Sequence, residues 1–217
     1  MDASISPTIA VIDYGMGNLR SVHNALRYVG AQIRIIDQPD QLGDAAGLIL
    51  PGVGALRDCV SYLVKSGLGD TVRDWIADDR PFLGVCLGLQ ALFESSEEGD
   101  IQGLGIFAGK VVRFDVSTDL KVPHMGWNQA SFTRQHAIMN AELSQGEDQF
   151  YFVHSYHVDT PDKDLVWATT DYGHAFTSAI SRGNAFATQF HPERSQATGL
   201  QIYRNFTRLV TESVVIG

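Results

Sequence analysis

Apolar positions along the chain follow two different rhythms. From Thr8 to about Phe93, short solid apolar runs alternate with stretches in which apolar residues recur at helical spacing. Thr8–Asp13, Ile33–Ile36, Gly47–Leu50 and Pro81–Val85 read as strands. Val22, Ala25, Leu26 and Val29 mark a helix that Asn18 can cap and Gly30 stops. Two helical stretches at about 56–66 and 69–79 follow, and a further helix is expected from Leu87 to Phe93. Strands apolar on both faces and separated by helices predict a parallel sheet covered on both sides. After Gly99 the helical spacing disappears. Lys110–Phe114, Gln149–Tyr156, Leu165–Thr170, Phe176–Ser181 and Ala185–Phe190 read as strands of an antiparallel extension. A last helix at about 195–212 buries Ile202, Tyr203, Phe206, Leu209 and Val210. The expected fold class is therefore α/β, a mostly parallel central sheet flanked by helices with an antiparallel extension. Residues 8–217 read as one domain behind a loose N-terminal tail, residues 1–7.

Charge narrows the partners. A net charge of −9 repels phosphate backbones and anionic lipid, which argues against nucleic acid and membrane surfaces. No apolar run approaches the ~20 residues of a membrane helix, and Met1–Pro7 lacks the regions of a signal peptide. With only two cysteines, Cys59 and Cys86, a disulfide framework is not expected, and a reduced, cytoplasmic setting is.

The chemistry concentrates at Gly84-Val85-Cys86-Leu87-Gly88. Glycines two residues either side of a nucleophile, between a strand and a helix, form an elbow that lifts the side chain clear of the sheet. A sulfur at a helix N-terminus is favoured as thiolate, the attacking form. Taken alone, the segment also fits a structural cysteine at a tight turn. Cys59, beside Leu56, Val60 and Leu63, reads as core. A cysteine nucleophile needs a base, and Gln189-Phe190-His191-Pro192-Glu193 supplies one at the end of a strand. Positions i and i+2 of a strand share a side, so Glu193 can hold one ring nitrogen of His191 and leave the other for sulfur. Elbow geometry makes the Leu87 N–H one oxyanion donor. The second is expected from Pro51-Gly52-Val53-Gly54, through the Val53 N–H, on a peptide that the flanking glycines leave free to turn. That segment also fits an ordinary glycine-rich turn.

The set Gly84-Val85-Cys86-Leu87-Gly88-Leu89-Gln90 with His191-Pro192-Glu193 resembles the class I (triad) glutamine amidotransferases. Asp13-Tyr14-Gly15-Met16-Gly17-Asn18, Pro51–Gly54 and Pro123-His124-Met125-Gly126-Trp127-Asn128 are similar to the glutaminase subunits of imidazole glycerol phosphate synthase, from about residue 9 to the end. The resemblance implies hydrolysis of glutamine through a thioester on Cys86, with no metal or organic cofactor. It implies substrate contacts from Gly52, Gly54, Gln90, Glu98, Ser155 and Tyr156. It further implies a cyclase partner with a (β/α)8 barrel in a heterodimer, met by Asn18, Met125, Trp127 and Asn128. The residues themselves leave alternatives: an acidic solvated loop for Glu98, packing for His154 and Tyr156, core for Trp127. Another class I subunit feeding a different synthase, a non-catalytic binding protein and a stand-alone hydrolase also remain open at this level.

Overall fold

The computed structural model describes residues 7–16, 19–115, 120–144 and 148–216; residues 1–6 of the expected tail and Asn18 lie outside them. Its first half alternates as the spacing predicts: β1 (Thr8–Ile12), α1 (Leu19–Tyr28), β2 (Gln32–Ile36), β3 (Gly47–Leu50), α2 (Leu56–Ser66), α3 (Leu68–Ala77) and β4 (Phe82–Val85). Then come α4 (Leu87–Gln90), β5 (Phe93–Ser96), β6 (Ile101–Gln102) and β7 (Phe107–Arg113). The remaining elements are β8 (His124–Gln129), β9 (Ser131–Phe132), β10 (Gln149–His154), β11 (Tyr156–Asp159), β12 (Val166–Asp171), β13 (Ala175–Arg182), β14 (Ala185–Thr188) and α5 (Gln196–Ile216).

The main sheet runs β2-β1-β3-β4-β14-β13-β11-β7-β5-β6. Its first five strands are all parallel, and from β14 to β7 each neighbour is antiparallel. This is the parallel centre with an antiparallel extension. Alternate residues of β1 enter different cores. Ala10 and Ile12 pack with Leu56, Cys59 and Leu63 of α2 and Trp75 of α3 on one face. Ile9 and Val11 pack with Val22 and Leu26 of α1 and Ile202, Tyr203 and Phe206 of α5 on the other. Each such fully buried aliphatic side chain contributes about 1.5–3 kcal/mol, so burial on both faces holds the sheet between the helices.

Two elements differ from expectation. α4 stops at Gln90 instead of Phe93, and the carbonyls that follow it turn to the loop at 103–107. Leu104 N–H donates to Ala91 O (2.8 Å), and Ile106 N–H to Leu92 O (2.8 Å). Phe93 then starts a strand. The apolar run 149–156 breaks at Ser155: β10 pairs with β8 in a separate two-stranded sheet, whereas β11 joins the main sheet. Strands β5, β6, β8, β9 and β11 were not foreseen, being short or rich in polar or glycine positions.

Candidate active site

Parallel topology sends the chain ends of β3, β4 and β14 to one edge, where open α/β sheets bind ligands. β3 is followed by Pro51–Gly54, β4 by Cys86 and β14 by the segment that carries His191. Cys86 has φ 54°, a left-handed conformation unusual for a side-chain-bearing residue and the mark of the elbow. Its flanking glycines are required by close approach. A Cβ on Gly88 would lie 1.9 Å from the Leu50 carbonyl oxygen, and one on Gly84 would lie 2.8 Å from Gly88 O. With α4 only four residues long, little helix dipole stands behind the sulfur, and side chains carry more of the electrostatics than the sequence suggested.

β14 ends at Thr188, two residues earlier than its apolar run implied. His191 is still extended (φ −102°, ψ 95°), and Pro192 opens a short 3-10 turn through Arg194. Pro192 has no N–H to extend the ladder, which explains the turn. The expected pairing survives: His191 Nδ1–H donates to Glu193 Oε1 at 2.9 Å, both side chains almost fully buried. Backbone bonds lock the histidine, with His191 N–H to Tyr151 O (2.9 Å) and Ser195 Oγ–H to His191 O (2.6 Å). His191 Nε2 is buried and is left to face the Cys86 sulfur. Burial alone would depress this imidazole. A sulfur anion on Cys86, as charge and as hydrogen-bond acceptor, and the bond and charge of Glu193 outweigh burial and hold it up at about 10. Behind Glu193, the fully buried Tyr203 phenol is pushed well up, by burial first and then by that carboxylate.

A cavity of about 290 Å³ opens over this corner, lined by Val53, Gly54, Cys86, Leu87, Gln90, Glu98, Ser155, Tyr156 and His191. Those residues, scattered over five segments, were all named from the sequence. Pro123, Val153 and His154 complete the lining. Gly52 lies behind it, and a Cβ there would meet Leu87 Cβ at 2.6 Å. The Leu87 N–H donates to Gly52 O at 3.4 Å, so in this arrangement a carbonyl, not the Val53 N–H, faces the spot beside the nucleophile. Tyr14, not foreseen as a site residue, donates its hydroxyl to Val53 O (3.3 Å). Burial raises the Glu98 carboxyl, and the Leu56 N–H at the start of α2 works against that. Cys59 is fully buried in α2, its thiol pushed up to about 12 by burial, as a core cysteine should be.

A hydrogen-bond network rooted at the Tyr156 carbonyl surrounds the cavity. It accepts from Gln90 Nε2 (3.0 Å) and from His154 Nδ1 (2.8 Å). Gln90 Nε2 also donates to Gln189 Oε1 (3.0 Å), and Gln189 Nε2 lies 3.6 Å from Cys86 Sγ. On the other branch His154 Nε2 meets His124 Nδ1 (3.0 Å), and His124 Nε2 meets Asn128 Nδ2 (3.2 Å). Because the root is a carbonyl, which only accepts, every tautomer and amide orientation follows: His154 and His124 each carry their proton on Nδ1. Asn128 therefore points inward, and Asn128 Nδ2 also donates to Asp171 O. Met125 and Trp127, on the other face of β8, are 62% and 47% exposed.

The family profile of class-I glutamine amidotransferases matches residues 10–209. Curated relatives include imidazole glycerol phosphate synthase subunits HisH. That of Nitrosococcus oceani is 52% identical over 92% of this chain and 96% of its own length. That of Syntrophotalea carbinolica is 50% identical over 91% and 98%, and that of Thermosynechococcus vestitus 49% over 95% and 99%. Among solved structures, PurLQS of Thermotoga maritima superposes with a TM-score of 0.74 at 17% identity, covering 97% of this chain and 100% of that one. The glutaminase domain of Trypanosoma brucei CTPS, with bound acivicin, does so at 0.63 and 16%, covering 95% and 94%. At such identities these two speak for the fold alone. With that fold, an elbow cysteine facing a carboxylate-held histidine, and relatives at half identity along nearly its whole length, the chain belongs to the class-I glutamine amidotransferase family, among the HisH subunits of imidazole glycerol phosphate synthase.

Proposed function

We propose that this chain is the glutaminase subunit of an imidazole glycerol phosphate synthase in histidine biosynthesis: it hydrolyses the side-chain amide of glutamine and passes the ammonia to a cyclase subunit. One observation carries the reading. An elbow cysteine, a carboxylate-held histidine and a glycine-rich turn meet at the ends of three neighbouring strands, under a cavity with room for one small molecule.

The chemistry follows from the atoms. His191 Nε2 takes the Cys86 proton, and Sγ attacks the amide carbon of glutamine while the carbonyl pair moves onto oxygen. The intermediate collapses, the C–N bond breaks, and His191 returns the proton to the departing nitrogen, so ammonia leaves and a thioester stays on Cys86. Water, deprotonated by His191, cleaves the thioester to glutamate, and sulfur regains its proton. Glu193 orients the imidazole and steadies its positive form without carrying the proton. The oxyanion needs two donors, the N–H groups of Leu87 and Val53. With the Gly52 carbonyl accepting from Leu87 N–H, a turn of the Gly52–Val53 peptide brings the Val53 N–H to the oxyanion. Gln90, Glu98, Ser155, Tyr156, Gly52 and Gly54 hold glutamine, with the Glu98 carboxylate toward its α-ammonium.

Ammonia released into neutral water becomes ammonium and loses its nucleophilicity, so the product passes directly to the partner, a cyclase with a (β/α)8 barrel in a cytoplasmic heterodimer. Exposed Met125 and Trp127 are the kind of side chains that anchor interfaces, and Trp127 leans edge-on against Tyr151, whose carbonyl holds His191. Asn128, on the inward face of β8, joins that contact to the histidine pair behind it, and Asn18 belongs to the same set. The test is Cys86→Ala in the complex. Synthesis from glutamine should vanish, while synthesis from added ammonium persists. Glutamine-dependent synthesis near the parental rate would sink the reading.

A further inference from the structure

Gln189 is fully buried, one strand over from the nucleophile and two residues before the base. Nothing in the thioester scheme requires it, yet the Gln189 amide is held at both ends. Gln189 Oε1 accepts from Gln90 at 3.0 Å, and Gln189 Nε2 reaches Cys86 Sγ at 3.6 Å, a normal range for a donor to sulfur. The backbone is held too, with Gln189 N–H on Ser178 O at 2.8 Å.

Amide orientation is here a matter of logic. The Tyr156 carbonyl can only accept, so Gln90 must turn its NH2 toward it. The second hydrogen of that NH2 can meet Gln189 only at an acceptor, which is Gln189 Oε1. The NH2 of Gln189 is thereby forced toward sulfur. The same count uses both Gln90 hydrogens inside the protein, so a ligand in the cavity meets the Gln90 carbonyl oxygen alone, an acceptor.

Resting on the glutaminase reading above, we propose that Gln189 is a further catalytic residue of that reaction: its side-chain N–H binds the reacting sulfur and holds it in the attacking position, with Gln90 as the positioning residue that orients it. The bond is stronger to the anion than to the thiol, so it favours the proton transfer to His191 that arms the sulfur. It also removes the sulfur's freedom to rotate away from His191.

Gln189→Met keeps length and volume and deletes the donor. In the full complex the kcat for glutamine should fall about ten-fold, the order of a hydrogen bond to a charged group. KM should stay within about two-fold, and synthesis from ammonium should be unchanged. In a Cys59→Ala background, alkylation of Cys86 by iodoacetamide should slow by a similar factor. Gln189→Glu keeps the acceptor for Gln90. When protonated it still offers O–H to sulfur; when ionised it offers none and repels the anion. Its kcat/KM relative to the parent should therefore rise as pH falls. A packing role would move neither the alkylation rate nor that ratio. Parental kcat and alkylation in Gln189→Met, or a flat ratio in Gln189→Glu, would overturn the assignment. Should Gln189→Met also lose ammonium-dependent synthesis, the pH ratio of Gln189→Glu decides alone. If Cys86→Ala still hydrolyses glutamine, the glutaminase reading falls and takes this with it; a dead Cys86→Ala beside a normal Gln189→Met removes Gln189 alone.

Discussion

His191 and His154 line the same cavity and are both buried, yet their surroundings drive them in opposite directions. His191 is held up at about 10, because the sulfur of Cys86 and the carboxylate of Glu193 more than offset the cost of burying its charge. His154 is pushed down to about 3, by burial first, with only a backbone carbonyl to set against it and with His124, His157 and His191 adding repulsion. His124, its partner, is lowered by burial to about 4. One corner is built to carry charge, the other to stay neutral. The lesson is that burial does not decide the state of an imidazole; the formal charges it is buried against do. The neutral pair can serve only as a directional hydrogen-bond relay from Asn128 to Tyr156, with each ring donating through Nδ1 and accepting through Nε2.

The largest way to break this contrast is to dismantle the charged corner. His191→Ala should lower kcat/KM for glutamine by about 10²–10⁴, the usual worth of a positioned base. Glu193→Gln should cost less, since it weakens the base without removing it, and the His191 titration seen by NMR should move down. Equal losses in the two variants would contradict the division of roles.

Val53→Pro sharpens the contrast by leaving both corners intact. It deletes the proposed second oxyanion donor and should reduce kcat by about 10²–10³ with less effect on glutamine binding. The titrations of His191 and His154 should stay put. Val53→Ala keeps the N–H and should be mild. A folded Val53→Pro enzyme with near-normal turnover would put the donor elsewhere.

The smallest effect is on stability. His154 and His124 are depressed below the unfolded value of about 6.5, so the unfolded chain binds more protons there. Stability should therefore rise with pH from about 3 to 6.5. His191 is raised, so the folded chain binds more protons above 6.5. Its contribution is complete below that pH and is lost as pH climbs toward 10. Thermal melts against pH should give a maximum near neutrality, and Glu193→Gln should flatten only the alkaline limb. An alkaline limb that is unchanged even when Cys86→Ala is added to Glu193→Gln would show that His191 is not its source.

Much of this was legible in the chain itself. Solid apolar runs alternating with helical spacing determined a parallel sheet covered on both faces, because strands buried on two sides leave no polar alternation. Gly84 and Gly88 around Cys86, and His191 two residues from Glu193, pointed to the proposed chemistry, because tight turns and short-range pairing are local and need no knowledge of distant residues. The tertiary structure alone decided the rest. β8 is too polar and β9 and β11 too short to announce themselves, and they exist because neighbouring strands offer them partners. α4 ends early, and the carbonyl of Ala91 turns to a loop thirteen residues on. Tyr14, Gln189, His124 and His154 come to the site from four segments with no common motif. Their roles rest on which carbonyl or sulfur each one meets across the fold, and a hydrogen bond between residues 66 or 99 positions apart leaves no periodicity in a sequence.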